Sequence, residues 1–410
     1  MPRTLGRLLA GAGAAVAIGV LPALPATGAA AAPADPVRAQ QQWVLNMMSV
    51  QDAWQVTEGA NVTVAVIDSG VDPDVTDLTG SVITGTDYTG LKTKMSNASW
   101  GQHGTWMASI IAGHGHDNGA DGIIGVAPKS KILSIRVIPD KGDPGYQAYN
   151  NESEERIQGE LAAGIRSAVS HHAAVISMSI GYSAPSGQVR AAIQYAYQHG
   201  VVLVASSGNS GDNDTQRGQS VAPVSFPAEY PGVIGVGAVD INRAPASFSS
   251  GNLSVQVAAP GKGVPAQGRN GLYYTVDGTS PACALVAGVA ALIKSRYPAI
   301  SPALVTEALT TTAAQRPSGG YDMLTGFGIV DAAAALAAAG KLMKEHPQAS
   351  QVPLAAHFGG GTAAVPAAPV GPRGDGGLVL YMVLALLSLA VVAAGVTGLV
   401  KTRRPREGHG

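Results

Sequence analysis

The segment Val64-Ala65-Val66-Ile67-Asp68-Ser69-Gly70 places a carboxylate at the end of an unbroken apolar run and follows it with serine and glycine. Four apolar residues in a row leave no polar face, the pattern of a strand buried on both sides in a parallel sheet. In open α/β sheets ligands gather at the carboxyl ends of the strands, so Asp68 stands where chemistry is done. Outward from it the pattern recurs. The runs 62–67, 132–138, 175–180, 201–205 and 233–239 read as strands, and the segments 104–112, 159–170, 187–199 and 281–296 read as crossover helices. This alternation predicts an α/β domain with a central parallel sheet covered by helices. The sequence shows no internal repeat, and the polar stretch 141–155 reads as an exposed insertion.

Three further blocks carry chemistry. His103-Gly104-Thr105 puts an imidazole at the mouth of a small-residue helix, and Gly278-Thr279-Ser280-Pro281-Ala282 puts a hydroxyl at the opening of an apolar one. With proline read as the first helical residue, Ser280 sits at the positive end of the helix dipole, which favours charge developing near its oxygen. Ala205-Ser206-Ser207-Gly208-Asn209-Ser210-Gly211 follows another buried run and offers the Asn209 amide at the same sheet edge. Each block alone has a plainer reading as a cap or turn. Together they fit one mechanism: Ser280 attacks a carbonyl, His103 takes its proton, Asp68 fixes the imidazole tautomer, and Asn209 holds the oxyanion.

The order Asp, His, Ser with these flanks resembles the subtilisin family of serine proteases. The resemblance extends to Ile176-Ser177-Met178-Ser179-Ile180-Gly181, Phe226-Pro227-Ala228-Glu229-Tyr230-Pro231, Val236-Gly237-Ala238-Val239, Ala259-Pro260-Gly261 and Val286-Ala287-Gly288. It implies a three-layer αβα domain and a substrate strand pairing with Ser179, Ile180 and Gly181. It also implies a specificity pocket bordered by Ala205 to Gly208, so that Ser206, Ser207 and Gly208 join the substrate-binding residues. Pro281, Trp106 and Val75 depart from the family's usual methionine, histidine and histidine without touching the triad.

Composition bounds the rest. The 410 residues carry a formal net charge of −1, which excludes a strongly basic nucleic-acid binder. Charged residues are only 13% and apolar ones 46%, so apolar sequence beyond an ordinary core is expected. Arg3 and Arg7 before an apolar run, closed by Ala29-Ala30-Ala31-Ala32, read as a secretory signal over 1–32. A short extension over 33–60 precedes the catalytic domain over 61–340, and an Ala/Pro/Gly-rich tether over 341–377 follows it. The stretch 378–400 is uncharged and, at about 1.5 Å per residue, long enough to span a bilayer as a single helix. Lys401, Arg403, Arg404 and Arg406 behind it place the tail 401–410 in the cytoplasm and the catalytic domain outside the cell membrane. Between signal and domain there is little length for an inhibitory prodomain, so activation by its removal is not expected.

This layout is similar to that of the mycosins, membrane-anchored proteases of type VII secretion. The resemblance implies a polypeptide substrate and a secretion complex as partner. A second reading keeps the protease fold mainly for binding within such a complex. Other residues invite metal or thiol chemistry. His114-Gly115-His116-Asp117 reads as a solvated loop, and Asp72, Asp74 and Asp77 read as turn formers, so no metal or other cofactor is expected. The single cysteine, Cys283, excludes an intramolecular disulfide and reads as a small buried thiol.

Overall fold

The computed structural model describes residues 36–117, 119–212 and 222–345. The signal, the tether, the membrane span and the basic tail expected from the sequence lie outside these described residues. In chain order the strands are β1 (Thr63–Asp68), β2 (Val82–Asp87), β3 (His114–His116), β4 (Asp121–Ile124), β5 (Lys131–Arg136), β6 (Val175–Met178), β7 (Val202–Ser206), β8 (Val233–Val239), β9 (Val255–Pro260), β10 (Val264–Gln267) and β11 (Tyr273–Val276). Seven of them form one sheet in the order β2-β5-β1-β6-β7-β8-β9, parallel throughout.

Side-chain alternation along these strands divides the core into two layers. Val64 and Val66 of β1, Ile132 of β5 and Val202 and Val204 of β7 face one layer, packed with the helices Gln102–Ala112, Thr279–Arg296 and Pro302–Thr311. Ala65, Ile67, Leu133, Ile135, Leu203 and Ala205 face the other, under the helices Glu154–Ser170 and Gly187–Gln198. The expected three-layer α/β architecture with a central parallel sheet is therefore what the chain adopts. Thr279–Arg296 is buried along nearly its whole length, as a helix apolar on every side must be.

Three readings need correction and one is refined. Two sheet strands gave no clear signal: β2 is an edge strand whose Ile83 faces water, and β9 carries Gln256 and ends in proline. The 141–155 stretch is mostly exposed as expected, with two anchors: buried Asp143 pairs with Arg136 and the Tyr149 hydroxyl donates to Val137 O at 2.5 Å. His114 to His116 form β3 of an antiparallel hairpin, and His116 Nδ1 lies 2.8 Å from Asp77 Oδ1. Asp77 is fully buried, also accepting from Ile123 N and the Tyr273 hydroxyl, so it is a packed hub rather than a turn former.

The ends of the described chain meet. The N-terminal helix Pro36–Met47 reaches β4 through Arg38, which donates to Gly122 O, and through Gln41, which exchanges two hydrogen bonds with Ile124. After the short helix Val50–Trp54, Ser295 near the end of the long buried helix donates to Ala60 O. The last helix, Ala332–Glu345, returns here: Ala332 N donates to Met48 O and Ser49 Oγ to Asp331 Oδ2.

Candidate active site

β5, β1, β6 and β7 are adjacent and parallel, so their carboxyl ends share one edge of the sheet. Asp68 closes β1, Ser179 follows β6, and Ser206 to Asn209 lie at and beyond the end of β7. The edge thereby collects residues that lie as far as 141 positions apart in sequence, from Asp68 to Asn209.

His103 is the second residue of the helix Gln102–Ala112. Its Nδ1 lies 2.8 Å from Asp68 Oδ1, and because a carboxylate can only accept, Nδ1 carries the proton and Nε2 is left as a base. Asp68 Oδ1 also accepts from Ser69 N at 2.7 Å, which fixes the carboxylate in the turn. Burial pushes the imidazole pKa down, but the charge of Asp68, its hydrogen bond and the charge of Asp140 outweigh it, leaving His103 above its ordinary value.

The turn itself is clamped. Gly70 has φ +98°, and a Cβ there would come within 2.6 Å of the Trp100 ring, so only glycine fits. Arg136, at the end of β5 and 1% exposed, donates through Nε to Ser69 O at 3.1 Å and pairs with Asp87 and Asp143 at 2.7 Å each. Its guanidinium lies 5.5 Å from the Trp100 ring centroid, and that of Arg269 lies 6.0 Å from the same ring.

Ser280 enters through its helix. Thr279–Arg296 begins two residues earlier than the proline suggested, so Pro281 is the third helical residue and Ser280 the second. Proline is still tolerated there because the first-turn N–H groups have no intrahelical partner. Asn209 Oδ1 accepts from both Thr279 N (2.8 Å) and Thr279 Oγ1 (2.9 Å), and Ser179 Oγ donates to Ser280 O at 3.3 Å. With its carbonyl occupied, the Asn209 NH₂ group donates to none of the described residues; Nδ2 lies 3.2 Å from the position a Gly278 Cβ would take. Hydrogen bonds thus join Asp68 to His103 and Asn209 to the Ser280 helix, while Ser280 Oγ takes part in none among the described residues.

Ser179, Ile180 and Gly181 follow β6 without belonging to a strand, and the chain re-enters β pairing at Tyr182, which bridges Phe226. Their backbone makes no ladder bonds among the described residues, as a docking edge requires. Gly208 N donates to Thr279 Oγ1 at 3.2 Å, tying the β7 end to the Ser280 turn. Ser206 ends β7 in register with Val236; Ser207 is fully buried, its Oγ donating to Ser250 O, so its side chain supports this wall from behind. A cavity of about 710 Å³ opens beside His103, walled by Trp106, Ile138, Tyr146, Ser179 and Tyr274. Trp106 stacks edge-on against both His103 and Tyr274, its ring centroid 6.1 Å and 5.2 Å away.

Cys283 is buried, and burial first of all pushes its thiol up to about 11, which leaves it an inert packing residue as the sequence suggested. One group among the described residues has ligand atoms close enough for a metal, His116, Asp117 and Asp121 within 4.8 Å of one another; His116 Nδ1 bonds Asp77, which leaves Nε2 as its other ring nitrogen.

The sequence profile of the Subtilase family matches residues 59–328. The chain belongs to the subtilase family. This subtilase is 36% identical to subtilisin DY of Bacillus licheniformis over 62% of its own length and 85% of that protein. It is 35% identical to mycosin-1 of Mycobacterium tuberculosis over 72% of each chain. Among solved structures, MycP1 from the ESX-1 type VII secretion system superposes with a TM-score of 0.61 at 30% identity, over 72% of the subtilase and 85% of that chain. The MycP3 protease of the ESX-3 system matches with a TM-score of 0.58 at the same identity, over 72% and 87%. The subtilase is a subtilisin-type serine endopeptidase, mycosin-like in its relatives.

Proposed function

We propose that the subtilase is a membrane-anchored endopeptidase working outside the cytoplasm, with Asp68, His103 and Ser280 as its triad and Asn209 as oxyanion donor, acting on polypeptides handled by a type VII secretion system. The observation that carries the site is the His103 Nδ1 to Asp68 Oδ1 bond of 2.8 Å at the sheet edge where Asn209 holds the start of the Ser280 helix. A substrate carbonyl at this edge meets the Ser280 hydroxyl; the proton passes to His103 Nε2 and Asp68 stabilises the imidazolium. The oxyanion is taken up by Asn209 Nδ2 and the backbone N–H at the Ser280 helix start, where the dipole is positive. Collapse expels the amine, which takes its proton from His103, and water repeats the sequence to free the acid.

The span 378–400 with its basic flank supports the anchor and its orientation, and the mycosin relatives support the secretion setting. Among the described residues no helix is long and apolar enough to cross a membrane, so the anchor is sought beyond them. One experiment tests site and topology together: a membrane-impermeant fluorophosphonate added to intact spheroplasts should label Ser280, with the label retained in salt-washed membranes and lost in Ser280→Ala. Labelling at another serine refutes the site. Labelling only after lysis refutes the outward orientation, and label released by salt refutes the anchor.

A further inference from the structure

The first helical turn below His103 lacks a cap of its own. Its N-cap residue is Gly101, at φ 72° and without a side chain, so the N–H groups of Gln102, His103 and Gly104 need acceptors from elsewhere. Two residues from other elements supply them. Ser69 Oγ accepts from Gly104 N at 3.1 Å, and Asp140 accepts with both oxygens, Oδ2 from Gln102 N at 2.7 Å and Oδ1 from His103 N at 3.1 Å. Asp140 follows β5, separate from both the helix and the strand that carries Asp68.

We infer that Asp140 is a positioning residue of this active site, holding the His103 main chain through its carboxylate and supplying a second negative charge that supports the imidazolium during catalysis. The inference rests on the proposed roles of His103 and Ser280. A carboxylate bonded to two amides in a helix's first turn is a strong cap, because it meets both the orphan donors and the positive end of the dipole. It also removes the rigid-body freedom of the first turn, on which the angle between imidazole and nucleophile depends. The charged and titratable groups around the imidazole are Asp68 from β1 and Asp140 from beyond β5, with Lys141, Tyr146 and Tyr274 lining the cavity on its open side. The electrostatics agree: Asp140 contributes to raising His103, while burial first and then Asp68 push Asp140 itself up, against the lowering effect of the two amides.

The test follows the rate of fluorophosphonate labelling of Ser280 against pH in Asp140→Asn and Asp140→Ala, beside the steady-state kinetics of a peptide substrate. Removing the charge is expected to move the acid limb of the labelling profile to lower pH by about half a pH unit or more. Loosening the turn is expected to lower the plateau rate and kcat about tenfold, with KM changed less than twofold. If Asp140→Ala does not fold, Asp140→Asn, which keeps an amide acceptor in the same volume, carries the test. A folded Asp140→Asn protein with an unmoved acid limb and an unchanged plateau overturns the inference, and so does a loss confined to KM, which would make Asp140 a wall of the substrate cavity. Failure of the underlying triad assignment is distinguishable, because it alone would leave labelling intact in Ser280→Ala.

Discussion

Arg136 offers a stability test with an internal control. Its side chain is 2% exposed and that of Asp143 is not exposed at all, and they meet at 2.7 Å, so the pair is buried. Replacing Arg136 with methionine keeps much of the volume but takes a partner from Asp87 and strands the buried Asp143 carboxylate, which among the described residues retains the Thr93 hydroxyl and Gly145 N as donors. Breaking one side of a buried ion pair costs about 3–5 kcal/mol. For a domain of this size, that corresponds to a fall in Tm of roughly 10 °C. Arg136→Met measured by thermal and urea unfolding in a Ser280→Ala background, where the protein cannot digest itself, should show that loss. The double variant Arg136→Met/Asp143→Leu should recover part of it, giving a coupling of about 1–3 kcal/mol in the double-mutant cycle. An Arg136→Met protein within about 1 kcal/mol of its parent, or a coupling near zero, would refute the reasoning that this pair is a buried tie.

Two further outcomes are expected. Asn209→Ala should lower kcat far more than it raises KM, by about 3 kcal/mol in the transition state, a figure carried over from the subtilisins themselves; a loss mainly in KM, measured by steady-state kinetics, would make Asn209 a substrate-binding residue. His116 is held above its ordinary pKa first by its hydrogen bond to Asp77, against burial and with the help of the neighbouring carboxylates. A raised histidine stabilises the fold fully below its unfolded pKa and loses that contribution as pH rises through the folded one. The gap in unfolding midpoint between the parent and His116→Gln should therefore be wider at pH 5.5 than at pH 8.5, and a gap that grows with pH would contradict the pairing.

The three proposed triad residues could be singled out because each is marked locally: an acid at the end of an apolar run, a histidine before Gly104-Thr105, a serine before an apolar helix. The central strands were legible for the same reason, since burial on both faces leaves a continuous apolar signature. What escaped was set by partners far away in sequence. Asp140 sits in an ordinary Pro139-Asp140-Lys141-Gly142 turn, and only the fold brings its carboxylate to amides 37 and 38 residues earlier. Asp77 and His116 looked like turn and loop residues because each finds its partner 39 residues away. Arg136 gave no sign of burial, because its neutralising carboxylates come from the edge strand β2 and from the stretch after β5. The helix start was misplaced by two residues because proline tolerates the whole first turn, so its position marks a beginning only to within that turn.

The contact between the first and last described segments has a mechanical meaning. Ser49 to Asp331 and Met48 to Ala332 form a latch, and Ser295, at the far end of the buried helix that begins beside Ser280, ties down Ala60. Fifteen helical steps separate Ser280 from Ser295, about 22 Å along the axis. Fraying that starts in the helix Ala332–Glu345 therefore reaches these two bonds before it reaches the sheet, whose last strand β9 ends at Pro260.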